Sequence, residues 1–193
     1  MFVATVVLVI LSVLSRTDAA YENKFEVTEG CLQYNSDRGY NFAHAYFSTG
    51  AFTNVRKNAG NSTELRIGVL GRNDGFIRLA PVQYPYDGNY MNEIVISGWE
   101  NTRTQVRSYT RTGPAKTDGF KVLREQSSLG LLSEFEPLMF TLSINPNGAV
   151  KLTKDGDSYP FLEFQDTKVS SMFISFCNWN VPVVYFFDCP HKK

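Results

Sequence analysis

The residue types suited to holding a ligand are concentrated in one short stretch of the chain. Trp99, Glu100 and Asn101 are consecutive, and Arg107 follows closely. Sugars are commonly held by an aromatic ring stacked on the pyranose, while carboxylate, amide and guanidinium groups bind the hydroxyls. Trp179, between two asparagines, offers a second ring of this kind. We therefore predict ligand-binding residues at Trp99, Glu100, Asn101, Arg107 and Trp179, for carbohydrate or another extracellular small ligand.

The same residue types also occur for a structural reason. A tryptophan can close the end of a β-sandwich, with polar turn residues and a solvated basic face around it. Trp99 and Trp179 both permit that interpretation, and it stays open at the level of sequence.

Groups suited to catalysis are sparse. His44 and His191 are the two candidates for a base at neutral pH. No serine lies in a G-x-S-x-G motif, and cysteine and histidine are not clustered at the spacing of a zinc site. Asp155 and Asp157 flank a glycine, which a tight turn explains better than a calcium loop. We predict no catalytic residue, no metal site and no cofactor.

A hairpin is the element expected to position the first cluster. Asn92–Ser97 is rich in β-branched residues and runs into Gly98, which predicts a strand that ends at a turn. Arg103, Gln105 and Arg107 then alternate along one face of a second strand. Trp99 and its polar neighbours would lie at the tip.

Short β-prone segments separated by turn residues recur along the whole chain. The expected strands are Phe25–Gln33, Tyr40–Phe47, Ala51–Arg56, Glu64–Leu70, Phe76–Ala80, Phe120–Arg124, Leu138–Ile144, Ala149–Lys154, Tyr159–Phe164, Met172–Cys177 and Pro182–Cys189. Asp74–Gly75 and Asn147–Gly148 are dipeptides favoured in hairpin turns. A helical turn is expected only at Leu129–Glu134. This pattern predicts an all-β fold, an antiparallel, jelly-roll-like β-sandwich.

The N-terminus has the composition of a secretory signal. Phe2–Leu14 is apolar but too short to span a bilayer, and small residues follow it. We predict a signal peptide at residues 1–20, cleaved near Ala19 or Ala20, and a single secreted domain at residues 21–193. No second run of membrane length follows. The 19 basic and 19 acidic residues balance, which argues against a nucleic-acid partner.

Secretion would allow disulfides and N-glycosylation. We expect a final hairpin about Asn178–Val181, which would hold Cys177 and Cys189 roughly 23 Å apart. The three cysteines are therefore predicted to form a Cys31–Cys189 disulfide, with Cys177 as a buried free thiol. Asn61, Ser62 and Thr63 form a glycosylation sequon in an expected loop, so Asn61 is the predicted glycosylation site.

Three segments of the sequence resemble a known family. They read IVISGWENTRTQVR (94–107), PFLEFQD (160–166) and FISFCNWNVPVVYFFDCP (173–190). They are similar to the farnesoic acid O-methyltransferase-like domain of animals, and the likeness covers residues from about Tyr40 to Pro190. It implies methylation of farnesoic acid or a related juvenile-hormone precursor with S-adenosylmethionine. Members of the family also resemble extracellular recognition modules found beside lectin-like domains.

Three functional hypotheses follow. The first is a secreted, non-enzymatic, lectin-like recognition module. The second is the methyltransferase that the resemblance implies; against it, no two of the fourteen glycines are spaced for a G-x-G nucleotide turn, and the methyl donor is cytosolic. The third is a structural protein linked between chains through Cys177 or Cys31. We expect the first.

Overall fold

The computed structural model describes residues 22–58 and 60–191, so the predicted signal peptide lies outside the described residues. The described chain contains thirteen strands, two short 3-10 turns (Glu26–Thr28 and Thr49–Ala51) and a four-residue turn at Gly98–Asn101. The strands are β1 Leu32–Ser36, β2 Tyr46–Ser48, β3 Arg56–Lys57, β4 Thr63–Leu70, β5 Gly75–Ala80, β6 Asn89–Ser97, β7 Arg103–Gly113, β8 Lys116–Ser127, β9 Leu138–Ile144, β10 Ala149–Lys154, β11 Leu162–Gln165, β12 Phe173–Cys177 and β13 Val183–Phe187.

The strands form two layers. The first sheet has the order β1-β13-β4-β9-β10-β11, with β3 beside β4, and the second sheet has the order β2-β12-β5-β6-β7-β8. Every strand pair in the described residues is antiparallel. The predicted all-β antiparallel sandwich is confirmed.

The core lies between the two sheets and follows from the alternation of side chains along each strand. On β6, Ile94 and Ile96 point into this core, whereas Glu93 and Val95 lie on the outer face of the second sheet. The main cluster draws aliphatic and aromatic side chains from both sheets, including Ile67, Phe140 and Phe176. No helix within residues 22–58 and 60–191 is long and apolar enough to span a membrane.

The Asn147–Gly148 turn forms the predicted hairpin between β9 and β10. Gly148 has φ +86°, and its N–H donates to the Asn145 carbonyl at 2.9 Å. A side chain there would collide with the Asp166 backbone. Glycine is therefore required both for its conformation and for the close approach of the next segment.

Two other expected hairpins are wrong. The chain does turn at Asp74–Gly75 and at Asn178–Val181, but β4 and β13 belong to the first sheet, whereas β5 and β12 belong to the second. Each turn therefore carries the chain across the sandwich. Turn residues show that the chain reverses, and they do not show which sheet receives the next strand.

The N-terminal third contains less regular structure than predicted. Of the expected strand Tyr40–Phe47, only the last two residues lie in β2. Of the expected strand Ala51–Arg56, only Arg56 lies in a strand, the two-residue β3. The helical turn expected at Leu129–Glu134 is not formed. Aromatic residues at alternate positions predicted a strand in residues 40–45, but these residues instead cover the outer face of the second sheet, where Tyr40 packs against Phe76.

Cys31 and Cys189 form the predicted disulfide, and Cys177 is a buried free thiol. The pairing is right although one argument for it is wrong, because β12 and β13 are not partners in a hairpin. Burial raises the pKa of the Cys177 thiol to about 12. These positions leave the interchain-disulfide hypothesis without an accessible cysteine.

Candidate functional site

The tip of the β6–β7 hairpin is a left-handed turn. In register, Glu93 faces Arg107 across the two strands. Trp99, Glu100 and Asn101 then follow one another with φ between +51° and +63°. Left-handed backbone costs roughly 1–2 kcal/mol for each residue with a side chain, so contacts outside the turn must hold it.

The side chains around the turn supply those contacts. The Asn101 amide donates to the Leu132 carbonyl at 2.8 Å and accepts from the Leu132 N–H at 3.1 Å. The Thr102 hydroxyl donates to the Trp99 carbonyl at 2.7 Å. The Trp99 backbone N–H also lowers the pKa of Asp74, which lines the same cleft. The contacts to Leu132 and within the turn hold the backbone that carries Trp99.

A cleft of about 400 Å³ opens beside this turn. Its floor contains Phe76 and Val95 on the outer face of the second sheet. Three turns form its rim, those after β4, β6 and β12. Their lining residues are Asn73 and Asp74, Trp99 and Glu100, and Trp179 and Asn180, respectively. Arg107 on β7 completes the lining. The two crossings between sheets thus bring distant segments to the same edge.

Both tryptophans that border the cleft are partly exposed to solvent. The exposed fraction is 40% for Trp99 and 52% for Trp179. Trp179 packs against Tyr40, with ring centres 5.1 Å apart. The interpretation that these rings close the ends of the sandwich is therefore not supported.

Trp99 belongs to a row of alternating rings and guanidinium groups. The Arg103 guanidinium carbon lies 4.7 Å from the Trp99 ring centre, and that of Arg107 lies 5.5 Å from it. Arg107 is also 5.5 Å from the ring centre of Phe120, which is 57% exposed. Cation–π contacts of this kind hold the arginine side chains in place and extend the aromatic surface beyond the cleft.

A buried ionic network on the outer face of the second sheet includes Arg107, which lines the cleft. Glu93, fully buried, accepts hydrogen bonds from Arg78 Nε at 2.8 Å, the Tyr109 hydroxyl at 2.8 Å, the Tyr40 hydroxyl at 3.0 Å and Arg107 Nη1 at 3.3 Å. Burial alone would raise the pKa of Glu93, but the charge of Arg78 and the hydrogen bonds lower it. Glu93 is therefore ionised at neutral pH and holds Arg107 at the cleft.

Asp74 lines the cleft, and its pKa is raised above the ordinary value. Partial burial raises its pKa, and the Trp99 N–H and the charge of Arg107 act in the opposite direction. The site thus combines apolar rings with one carboxylate, Asp74, that is tied to the turn and another, Glu100, that is exposed to solvent.

Four of the five predicted ligand-binding residues, Trp99, Glu100, Arg107 and Trp179, line this one cleft. Asn101 does not, because its amide is bonded to Leu132; it lines an adjoining depression of about 530 Å³ with Glu100 and four other residues.

Sequence reasoning missed three residues near the site. Asp74 was interpreted as a turn residue only, Phe76 as an ordinary strand residue, and Phe120 as part of an expected strand. Their role depends on contacts between strands distant in the chain, which local patterns do not report.

Two of the remaining candidates, His44 and Asp155, have structural roles. His44 is buried, its Nε2 lies 2.6 Å from the Gly39 carbonyl, and burial lowers its pKa. Asp155 forms a 2.6 Å ion pair with Arg66. No group of three or more metal-binding side chains occurs in the part of the chain that the structure describes.

A second depression, of about 500 Å³, lies between residues 22–27 and the start of β9. It has no aromatic lining residue, so it lacks the feature on which the sugar-binding prediction depends.

The three-dimensional comparisons found loose similarity to carbohydrate-active proteins. A native glycosidic hydrolase is 11% identical with TM-score 0.43, covering 89% of this chain and 81% of that one. A Bacillus licheniformis β-glucanase is 12% identical with TM-score 0.40, covering 83% and 98%. The carbohydrate-binding module CBM66 from Bacillus subtilis is 7% identical with TM-score 0.44, covering 72% and 91%. Similarity at this level carries no information on ligand or activity.

The sequence comparisons gave a definite result for the family. A comparison with curated proteins found no match. The model of a family described as farnesoic acid O-methyl transferase matches residues 40–191, which include the three segments that carry the resemblance and all of the residues that line the cleft. The chain belongs to the farnesoic acid O-methyl transferase family.

Proposed function

We propose that this protein is a non-enzymatic recognition module that binds carbohydrate in the cleft between Trp99 and Trp179. The observation that carries this proposal is the presence of two partly exposed indole rings on one cleft of about 400 Å³. An apolar surface with a few fixed polar groups is the usual design of a small-ligand site. Asp74 and Arg107 are two of the polar groups of this cleft, and Arg107 is held by a hydrogen bond to Glu93.

The exposed ring of Phe120 supports an extended ligand. Its ring centre lies 5.5 Å from the Arg107 guanidinium carbon, as does that of Trp99. A ligand that occupies the cleft and continues across Arg107 would reach this third ring. An oligosaccharide fits that surface better than a single sugar.

Binding to a glycan array, followed by titration of the best ligand, tests the proposal. Trp99→Ala and Trp179→Ala are each expected to fold and to weaken binding by roughly 30-fold, or about 2 kcal/mol, the loss typical of a buried aromatic contact. Tyr159→Ala is the matched control, because Tyr159 is 83% exposed and does not line the cleft. Unchanged binding in both tryptophan variants would exclude this cleft as the site.

The family description supports a second candidate, methylation of farnesoic acid with S-adenosylmethionine. In the described residues all strand pairs are antiparallel, whereas the usual donor site lies between a parallel strand and a helix. Incubation with labelled S-adenosylmethionine and farnesoic acid decides the matter. Label transfer above a protein-free blank would overturn the proposal that the protein is not an enzyme.

We also propose that the protein acts outside the cell. The disulfide between Cys31 and Cys189 supports this location, because such bonds persist in oxidising compartments. Expression in a secreting animal cell is expected to release a chain that begins near Ala20 or Tyr21 and carries a glycan on the exposed Asn61. N-terminal sequencing and enzymatic deglycosylation check both points.

A further inference from the structure

Two arginines are fully buried on the outer face of the second sheet. Arg78 on β5 and Arg111 on β7 are both 0% exposed. They lie under the segment that contains Tyr40, whose ring centre is 4.5 Å from the Arg78 guanidinium carbon and 5.8 Å from that of Arg111. The two cations therefore border the same aromatic ring.

Their charge is only partly neutralised by the protein. Glu93 is the fully buried carboxylate in contact with Arg78, and it also binds Arg107. Arg111 instead donates to two backbone carbonyls, those of Gly113 at 3.1 Å and Pro114 at 2.5 Å. Burying a guanidinium without a counter-charge is strongly unfavourable.

Several hydrogen-bonding groups of this cluster also lack partners. Within residues 22–58 and 60–191, Nη1 of Arg78 and Nη1 of Arg111 have no acceptor. The hydroxyls of Tyr86 and Ser175 are buried and equally without a partner. Four groups able to donate hydrogen bonds are thus left unsatisfied, whereas such buried groups are normally paired.

The two hydroxyls belong to the same buried region. Ser175 lies directly opposite Arg78 across β12 and β5, and Tyr46 lies opposite Ser175 on its other side. Tyr86 packs against Tyr46 with ring centres 6.4 Å apart. Burial raises the pKa of Tyr86, and the charges of Arg111 and Arg78 oppose that rise, as expected for a hydroxyl near both cations.

We propose that this cluster binds a small monovalent anion of the size of chloride, held by Arg78 and Arg111 with hydrogen bonds from the Tyr86 and Ser175 hydroxyls. An anion neutralises the excess buried charge and accepts from all four unsatisfied donors, whereas water accepts hydrogen bonds but leaves the charge. The anion site does not depend on carbohydrate binding, because its arginines lie under the segment that contains Tyr40 and none of its four groups lines the cleft.

Thermal unfolding at constant ionic strength gives the first test, with sodium chloride replaced stepwise by sodium gluconate. A site with a Kd of about 1 mM is expected to raise the Tm by roughly 5–9 °C between ~1 mM and ~100 mM chloride. Arg111→Gln is expected to abolish this dependence. Arg124→Gln, which removes the same charge from an exposed position, is expected to retain it. Equal Tm values in chloride and gluconate, or a dependence that persists in Arg111→Gln, would overturn the proposal.

Crystals grown or soaked in sodium bromide give a second test that requires no variant and so remains decisive where Arg111→Gln does not fold. An anomalous-difference peak within about 3.5 Å of Nη1 of both arginines is the expected result. Density at that place without anomalous signal identifies a water and overturns the anion assignment. A peak found only at the protein surface marks an adventitious ion only and also overturns it.

Discussion

At the scale of single residues, Glu93 joins four side chains on the outer face of the second sheet. Its position opposite Arg107 was predictable from the strand pattern, because alternation and register follow from the hairpin. Its burial was not predictable, since glutamate and arginine are usually exposed. The alternating arginines of β7 are typical of a strand face that is exposed to solvent. The covering segment that excludes water comes from residues some fifty positions earlier.

Glu93→Gln is expected to reduce the free energy of unfolding by about 3–5 kcal/mol, because it leaves Arg78 buried without its counter-charge. Glu125→Gln is the control, since that carboxylate and its partner Arg103 are both more than two-fifths exposed; it is expected to change stability by less than about 1 kcal/mol. Urea unfolding measures both values. Similar small losses in the two variants would contradict the importance assigned to the buried pair.

The Glu93 variant should also differ from wild type in its pH dependence. The pKa of Glu93 in the folded protein lies below the ordinary value of 4.5. Its contribution to stability is therefore complete above about pH 4.5 and is lost as the pH falls through the lower, folded-state pKa. The stability difference between wild type and Glu93→Gln is expected to shrink between pH 7 and pH 3 in urea unfolding. A constant difference would show that ionisation of Glu93 is not responsible.

Cys177 should be unreactive in the folded protein. Its pKa of about 12 leaves roughly one thiol in ten thousand ionised at pH 8, and the side chain is fully buried. Ellman's reagent is expected to detect no thiol in the native protein and one after unfolding in urea. Cys177→Ser is expected to give none under either condition. Rapid labelling of the native protein would contradict the buried position.

At the scale of elements, the turn that carries Trp99 shows what local sequence can and cannot predict. Gly98 after a β-branched strand predicted a turn, and the turn lies there. Three left-handed residues in succession were not predictable, because the bonds from Leu132 that stabilise them come from another part of the chain. The same limit explains why the crossings after β4 and β12 were mistaken for hairpins.

Asn101→Ala is expected to destabilise the protein by about 2 kcal/mol, because both bonds to Leu132 are lost and alanine tolerates φ +63° poorly. Asn101→Gly, which accepts this conformation but lacks the amide, is expected to lose less. Urea unfolding gives both values, and tryptophan fluorescence in a Trp179→Phe background reports whether the Trp99 ring has moved. Equal losses would show that backbone strain has no part in the turn.

At the scale of the whole molecule, the order of polar and apolar segments was enough to predict the two-layer antiparallel architecture. The assignment of strands to layers was not, because consecutive β4 and β5, and consecutive β12 and β13, lie in different sheets. Four of the nine residues that line the cleft, Asn73, Asp74, Trp179 and Asn180, lie on those crossings. The disulfide joins the segment before β1 to the segment after β13, across 158 residues of chain.

Replacement of Cys31 and Cys189 together by serine is expected to reduce stability by about 2–5 kcal/mol, because the unfolded chain regains the freedom of that long loop. Urea unfolding of the double variant measures the loss. Dithiothreitol is expected to bring the wild-type midpoint to the same value and to leave that of the variant unchanged. A variant as stable as the oxidised wild type would contradict this role.

The course of β4 separates the two ends of the molecule. The sequon asparagine, Asn61, precedes the strand, and the turn that contributes Asp74 to the cleft follows it, a distance of roughly 25 Å along eight residues. His191 lies near Glu64, at the Asn61 end of the strand. A molecule fixed to a sensor chip through position 191 would therefore present its tryptophan-bearing loops to the flowing solution, and a branched sugar on Asn61 would leave their approach unobstructed.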